Sequence, residues 1–164
     1  DHQCGGILPA IGGNIRVGNS ETFVTEACEY TNSFLSFFPK ISIILNMDAD
    51  HLDFFKDIDD IRHSFRRFAE LLPADGTLII NADTPKYEDI IRDLPCNVIT
   101  YGLEHDADYQ AADITYDKYG HASFSVLRNG VKVGSYYLKC RASTMFPMHW
   151  QQLPSVIFLV FPKK

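Results

Sequence analysis

Short apolar stretches alternate with amphipathic segments through the middle of the chain. Residues 41–45 (ISIIL) are apolar throughout, as expected for a strand covered on both faces, and residues 77–80 (TLII) and 97–101 (NVITY) predict two further strands. Over residues 57–72, apolar side chains recur at three- and four-residue steps, which predicts an amphipathic helix. Residues 87–94 are expected to form a second, shorter helix.

The order of these elements predicts the fold class. A β-branched run at residues 22–26 (TFVTE) adds a strand at the start, so strands and helices alternate as expected for an α/β protein with a mostly parallel sheet flanked by helices. Beyond Tyr109, residues 122–127 and 131–138 instead alternate between apolar and polar and flank Asn129-Gly130. That dipeptide is a strong hairpin signal, so we expect an antiparallel hairpin extension towards the C-terminus.

The opening of the chain is rich in glycine. Residues 5–14 (GGILPAIGGN) are predicted to be loop for much of their length. Within them, Gly13 and Asn14 would bring a backbone N–H and a side-chain amide close to a pyrophosphate, although a simple turn is the more common explanation. This is not a P-loop, since neither GKS nor GKT occurs in the sequence.

Composition narrows the class of protein. The 164 residues fit one domain, and 46% hydrophobic with 22% charged residues is typical of a globular protein. A net charge of −6 argues against general nucleic-acid binding. The one compact basic group, Arg62, Arg66 and Arg67, is interpreted as a solvated face of the predicted helix.

Cysteine usage and hydropathy predict a cytoplasmic location. The four cysteines form no CxxC pair and have no zinc-like spacing, as expected for reduced thiols. The sequence shows no signal-peptide pattern, and its longest apolar run, residues 156–161, is too short to cross a bilayer.

The densest polar cluster directly follows the ISIIL strand. Residues 46–53 (NMDADHLD) supply three carboxylates, an amide and an imidazole at the carboxyl end of a predicted parallel strand, where ligands bind in open α/β sheets. Such groups suit a divalent metal with attached phosphates. An acidic loop that caps the following helix is an equally good interpretation.

Two weaker candidates lie at the ends of other strands. Glu26 begins EACEY after the TFVTE strand, and if that strand neighbours ISIIL, Glu26 and His51 would face one crevice. A carboxylate and an imidazole leave coordination sites open, which suits Mg²⁺ held partly by nucleotide phosphates. Residues 81–83 (NAD) follow the TLII strand and are predicted to cap the next helix.

Taken in order, these segments resemble the Mur ligases, most closely the branch that adds L-alanine. The resemblance covers roughly residues 5–139 and is carried by GGILPAIGGNIRVG, FVTEACEYTNSFLSFFPK, ISIILNMDADHLDFFKDID and GTLIINADTP. No lysine lies between Lys56 and Lys86, where several relatives carry a carbamylated lysine. That difference favours the L-alanine-adding branch or the related murein peptide ligase.

The resemblance implies site residues and a reaction. By similarity, Glu26 would bind Mg²⁺ and His51 would contact both metal and substrate. Gly13 and Asn14 would lie at the diphosphate of the UDP-sugar. Asn46 and Asp50 would support the loop that carries His51. The implied activity is ATP-dependent joining of L-alanine to UDP-N-acetylmuramate through an acyl phosphate. A non-catalytic nucleotide-sugar binding module and a metal-dependent phosphohydrolase that uses DADHLD are the alternatives.

The end of the chain departs from the Mur ligase pattern. After Lys139 that pattern calls for VPGEHN and a helix, whereas the chain reads CRASTMFPMHWQQLPSVIFLVFPKK. Back-translated and regrouped from the last nucleotide of the Lys139 codon, the same stretch reads VPGEHNVPNALAAIAVCDFLGIPEE. We therefore expect residues 1–139 to be a partial central domain without its P-loop, and residues 140–164 to be a frameshifted tail without functional roles. A divergent natural terminus is the alternative.

Overall fold

The computed structural model describes residues 2–8, 12–17, 23–49 and 51–141, with the backbone alone for residues 2–8 and 139–141. The chain divides into two compact units, Asp1–Ser36 and Phe37–Lys164. In the described part, no helix combines the length and the apolar character that crossing a membrane requires.

The first unit is built on a small three-stranded sheet. Strand β1 (His2–Leu8) lies in the middle, antiparallel to β2 (Gly13–Arg16) and parallel to β3 (Val24–Thr25). A short 3₁₀ segment, Tyr30–Ser36, follows. The prediction that residues 5–14 are mostly loop is therefore wrong. Residues 5–8 lie in β1 and residues 13–14 in β2, and Leu8 pairs with Gly13 across the two strands.

The second unit is a six-stranded sheet whose order follows the sequence. Its strands are β4 (Ile41–Ile44), β5 (Thr77–Asn81), β6 (Asn97–Gly102), β7 (Tyr109–Tyr116), β8 (His121–Arg128) and β9 (Val131–Arg141). The pairs from β4 to β7 are parallel and those from β7 to β9 antiparallel. The predicted α/β class, with an antiparallel extension towards the C-terminus, is confirmed.

Strand β4 is buried on one face only. Ser42 and Ile44 are buried, whereas Ile41 and Ile43 are 63% and 46% exposed. The expectation that the ISIIL strand is covered on both faces is wrong for the described structure, because the side chains on the face of Ile41 and Ile43 stay largely exposed.

Helix α1 (Ile58–Ala69) connects β4 to β5 and closely matches the predicted helix. It begins at Asp57, whose Oδ1 accepts hydrogen bonds from the N–H groups of Asp59 (3.1 Å) and Asp60 (3.0 Å), the usual geometry of an N-cap. Helix α2 (Glu88–Ile91) is shorter than predicted, since Asp93 just beyond it has a left-handed backbone with φ of 55°.

The basic group on α1 is only partly solvated. Arg67 is exposed as predicted, but the Arg66 side chain is only 24% exposed. Its Nη1 donates hydrogen bonds to the backbone carbonyls of Ile90 (2.9 Å) and Arg92, at the end of α2. The interpretation of all three arginines as a solvated face is therefore wrong, because Arg66 connects the two helices.

The predicted hairpin joins β8 to β9. Asn129 and Gly130 both have positive φ, 48° and 76°, which is the backbone that a type I′ turn requires. Side chains of the three antiparallel strands pack together in a buried cluster, formed by Ala111, Ala122, Phe124, Val126 and Leu138.

Candidate functional site

The loops after β4, β5 and β6 leave the sheet at one edge. The three strands are parallel and in register, with Ile44 opposite Ile80 and Asn81 opposite Tyr101. Polar residues that sequence analysis assigned to the ends of β4 and β5 therefore share the carboxyl edge of the sheet, where ligands bind in open α/β folds.

The polar loop after β4 is held at both ends by apolar side chains. Met47 is 8% exposed and Phe55 is 2% exposed, so both belong to the interior. Between them the loop is more open, and the Asn46 Nδ2 donates a hydrogen bond of 3.1 Å to the Asp48 carboxylate. Asp50, expected to support this loop, lies outside the described residues. The arrangement presents polar groups from a backbone that is anchored on either side.

His51 occupies a turn within this loop. Its backbone is left-handed, with φ of 53°, and its carbonyl oxygen accepts hydrogen bonds of 2.9 Å from the N–H groups of both Phe54 and Phe55. Such backbone conformations are uncommon outside glycine and concentrate at functional sites. The alternative that this loop serves to cap the next helix is not supported, since the cap of α1 is Asp57.

Asp83, after β5, binds the loop after β6. Its carboxylate accepts backbone hydrogen bonds from Leu103 (2.6 Å), His105 (2.9 Å) and Glu104 (3.1 Å), and lies 3.0 Å from the His105 Nδ1. Burial by itself raises the pKa of this carboxyl. The hydrogen bonds from Leu103, the His105 ring and the neighbouring N–H groups outweigh that effect and lower the pKa below its ordinary value.

Asp83 therefore does not cap α2, as residues 81–83 were predicted to do. The N-cap of α2 is Tyr87, which makes no side-chain capping bond. The close approach of Asp83 to the next loop also explains Gly102, where an added Cβ would lie 3.0 Å from the Asp83 Oδ1.

Tyr101 links β6 to the end of β4. Its side chain is fully buried, at 1% exposure, and its hydroxyl lies 3.2 Å from the carbonyl oxygen of Leu45 and 3.4 Å from that of Ile44. Burial, with a smaller contribution from the nearby Asp83 charge, raises the pKa of this phenol, so it remains a hydrogen-bond donor.

The remaining predicted site residues lie in the first unit. Gly13 and Asn14 are in β2, and Glu26 directly follows β3 with its side chain exposed. Strand β3 pairs with β1, while β4 pairs with β5 in another sheet. Glu26 and His51 were expected to face one crevice if their two strands were neighbours. In the described residues, these two strands do not pair with each other.

Sequence reasoning missed Tyr101 and the binding partners of Asp83. Both residues form hydrogen bonds with partners distant in sequence. Tyr101 and Leu45 are 56 residues apart, and Asp83 and Leu103 are 20 residues apart. The available signal was the position of each residue at a predicted carboxyl end of a strand.

The second unit is an α/β fold with polar loops at the carboxyl edge of its parallel strands, the position where ligands bind in open α/β sheets. The family described as the Mur ligase middle domain matches residues 8–139. The chain belongs to this family.

Known proteins of this kind are similar to the chain in sequence. A UDP-N-acetylmuramate–L-alanine ligase from Lachnospira eligens is 60% identical over 129 residues, which cover 78% of this chain and 28% of the relative. The chain thus spans little more than a quarter of that protein's length.

Two solved structures are similar to this chain in fold, and the likeness extends no further than the fold. A UDP-N-acetylmuramate:L-alanyl-γ-D-glutamyl-meso-diaminopimelate ligase from Neisseria meningitides is 22% identical with a TM-score of 0.70, over 98% of this chain and 53% of that one. A MurF ligase from Thermotoga maritima, solved in complex with ADP, is 14% identical with a TM-score of 0.64, over 84% and 33%.

Proposed function

We propose that this chain is part of the central domain of an ATP-dependent ligase that joins L-alanine to UDP-N-acetylmuramate in the cytoplasm. The observation that carries the proposal is the 60% identity to such a ligase over 129 residues, a stretch that includes the polar loop after β4. On this proposal residues 1–139 belong to the domain, and residues 140–164 form a tail without functional roles.

The proposed reaction couples two group transfers. An oxygen of the lactyl carboxylate attacks the γ-phosphorus of ATP, the bond to the β–γ bridging oxygen breaks, and ADP leaves. The L-alanine amine then attacks the resulting acyl phosphate, forms the amide, loses a proton and releases inorganic phosphate. Positioning and charge stabilisation account for most of the catalysis of such phosphoryl transfers.

Mg²⁺ is the metal that the proposal requires, and Glu26 and His51 are the residues that would hold it. Among the described residues, no group of three or more His, Cys, Asp and Glu side chains is placed to hold a metal. Mg²⁺ is usually bound through one or two carboxylates and completed by phosphate oxygens and water. When bound, Mg²⁺ would neutralise charge on the phosphoryl oxygens.

The protein's own residues supply position and support. Asn46 and Asp50 would hold the loop that carries His51, and Gly13 and Asn14 would contact the diphosphate of the UDP-sugar through a backbone N–H and an amide. The Asn46–Asp48 hydrogen bond and the buried Met47 support this view, because they restrain the loop on the side of β4.

A chimeric ligase tests the proposal. The matching 129-residue stretch of the Lachnospira eligens ligase is replaced by the equivalent stretch of this chain. We expect ATP-dependent formation of UDP-N-acetylmuramoyl-L-alanine, measured by mass spectrometry, and no product when a tripeptide replaces L-alanine. The unaltered ligase and a chimera with Glu26→Ala are the controls. A chimera that melts cooperatively and binds ATP but forms no product would contradict the proposal.

A further inference from the structure

The backbone at the end of β4 is fixed by a side chain from two strands away. Tyr101 is in β6, and its hydroxyl passes beyond β5 to reach the carbonyl oxygens of Ile44 and Leu45. A phenol has one proton to donate, so the two carbonyls share one donor. The contact falls at the last residue of β4 and the first residue of the loop that leads to His51.

Buried side chains also restrain the loop to His51 on either side. Leu45 itself is 37% exposed, and the next buried side chain along the chain is Met47. On the far side, the N–H groups of Phe54 and Phe55 bond to the His51 carbonyl, and Phe55 is buried. The backbone at Leu45 and the buried Met47 therefore both restrain the start of the loop.

We propose that Tyr101 is a positioning residue for His51, and that it acts by fixing the backbone where the loop leaves β4. The inference rests on the proposed function in taking His51 as a site residue. Because the Tyr101 side chain is buried, at 1% exposure, its effect passes through the Leu45 carbonyl to the left-handed turn at His51. Catalytic groups must be held within a fraction of an ångström of their productive positions, and a buried hydrogen bond at the base of the loop supplies that restraint.

Removing one oxygen tests this. Tyr101→Phe retains the buried ring and deletes only the hydroxyl, so the core stays filled. The control is Tyr137→Phe, which deletes an exposed phenol on β9 that donates to the Asp117 carboxylate (3.2 Å), in the loop between β7 and β8. Amide hydrogen exchange of this chain and of each variant, followed by mass spectrometry of peptides, reports local opening without requiring catalysis.

We expect exchange in a peptide covering residues 46–56 to be about three- to tenfold faster in Tyr101→Phe, as is typical for the loss of one buried hydrogen bond. Exchange in a peptide from α1 should stay within about twofold, because opening of the loop is local. Tyr137→Phe should leave both peptides unchanged. Equal acceleration of both peptides in Tyr101→Phe, or none in either, would overturn the proposal.

A second measurement separates this inference from the proposed function. In the chimeric ligase, Tyr101→Phe should lower kcat about tenfold while the KM for ATP stays within about twofold, since misplacement of His51 affects the reacting groups more than nucleotide binding. A change in KM alone would contradict the positioning role. If the unsubstituted chimera is inactive but the exchange pattern is as expected, the proposed function fails and the restraint on the loop remains.

Discussion

Arg66 on α1 and Ile90 at the end of α2 are joined by a hydrogen bond of 2.9 Å between a guanidinium Nη1 and a backbone carbonyl oxygen. The same nitrogen also bonds to the Arg92 carbonyl, while the Nε bonds to Glu70 at 2.7 Å. One cation thus satisfies two carbonyls at the C-terminal end of α2, the end where positive charge is favoured.

Replacement of Arg66 should destabilise the second unit. We expect Arg66→Ala to lower the free energy of unfolding by about 2 kcal/mol, because carbonyls at a partly buried helix end lose a charged donor. Arg66→Lys should recover only part of this loss, since an ammonium has no second nitrogen to bond to Glu70 while the first bonds to the two carbonyls. Urea denaturation measures both. The exposed neighbour is the control, and Arg67→Ala should change stability by less than about 0.5 kcal/mol. Equal effects at the two positions would mean that the contact contributes nothing specific.

Asp83 should make stability depend on pH in the acid range. The folded-state pKa of its carboxyl lies below the ordinary 3.8, so the ionised form is favoured by folding. Its contribution is complete above that ordinary value and is lost as the pH falls through the lowered folded pKa.

We therefore expect Asp83→Asn to lower stability by about 1 kcal/mol at neutral pH, with a gap to the parent chain that is constant down to about pH 4 and narrows as the pH falls further. Urea midpoints across this range provide the measurement. Asp106→Asn, at an exposed aspartate of the same loop, should give no comparable gap. A gap that is constant with pH would show that the Asp83 charge is not what binds the loop.

The two proposed metal ligands should be essential in the chimeric ligase. We expect Glu26→Ala and His51→Ala each to reduce kcat by at least about a hundredfold, because loss of electrostatic stabilisation of a transferring phosphoryl group costs roughly 3 kcal/mol. Initial rates at saturating ATP measure the effect, and thermal melts of each variant test for damage to the core. Near-normal turnover in either well-folded variant would show that the site is wrongly assigned.

If residues 140–164 are a frameshifted tail, the chain should be poorly soluble. Residues 142–164 lie outside the described residues, but their sequence contains three prolines and the uncharged, β-prone run SVIFLVF at residues 155–161. We expect the restored reading frame to raise soluble yield, and deletion of residues 140–164 to raise it less. Expression of the three versions side by side measures this. Equal yields, with a protease-resistant tail in the original chain, would favour a divergent natural terminus.

The sequence patterns that predicted the fold were local. The strands at residues 41–45, 77–80 and 97–101, the amphipathic helix and the Asn129-Gly130 turn each depend on side chains within a few positions of one another, and all are present. The alternation of strands and helices then sufficed to predict that the first strands of the sheet are parallel.

The failures involve partners distant in sequence. No local pattern indicates that Arg66 reaches Ile90 or that Asp83 binds Leu103. Each depends on which backbone groups the fold brings opposite one another. Of the candidate site, the sequence indicated the loop after β4 and its edge of the sheet, whereas the contacts that restrain that loop depend on the three-dimensional fold.

The mixed sheet also has consequences for synthesis on the ribosome. The hairpin of β8 and β9 closes over two residues, whereas β4 meets its partner β5 only after residues 45–76 have been made. At roughly 5–20 residues per second, the apolar β4 segment spends on the order of 2–7 s in the nascent chain before that partner is synthesised. The fastest-closing part of the sheet emerges last. For those seconds β4 is a natural target for a chaperone that recognises short apolar segments.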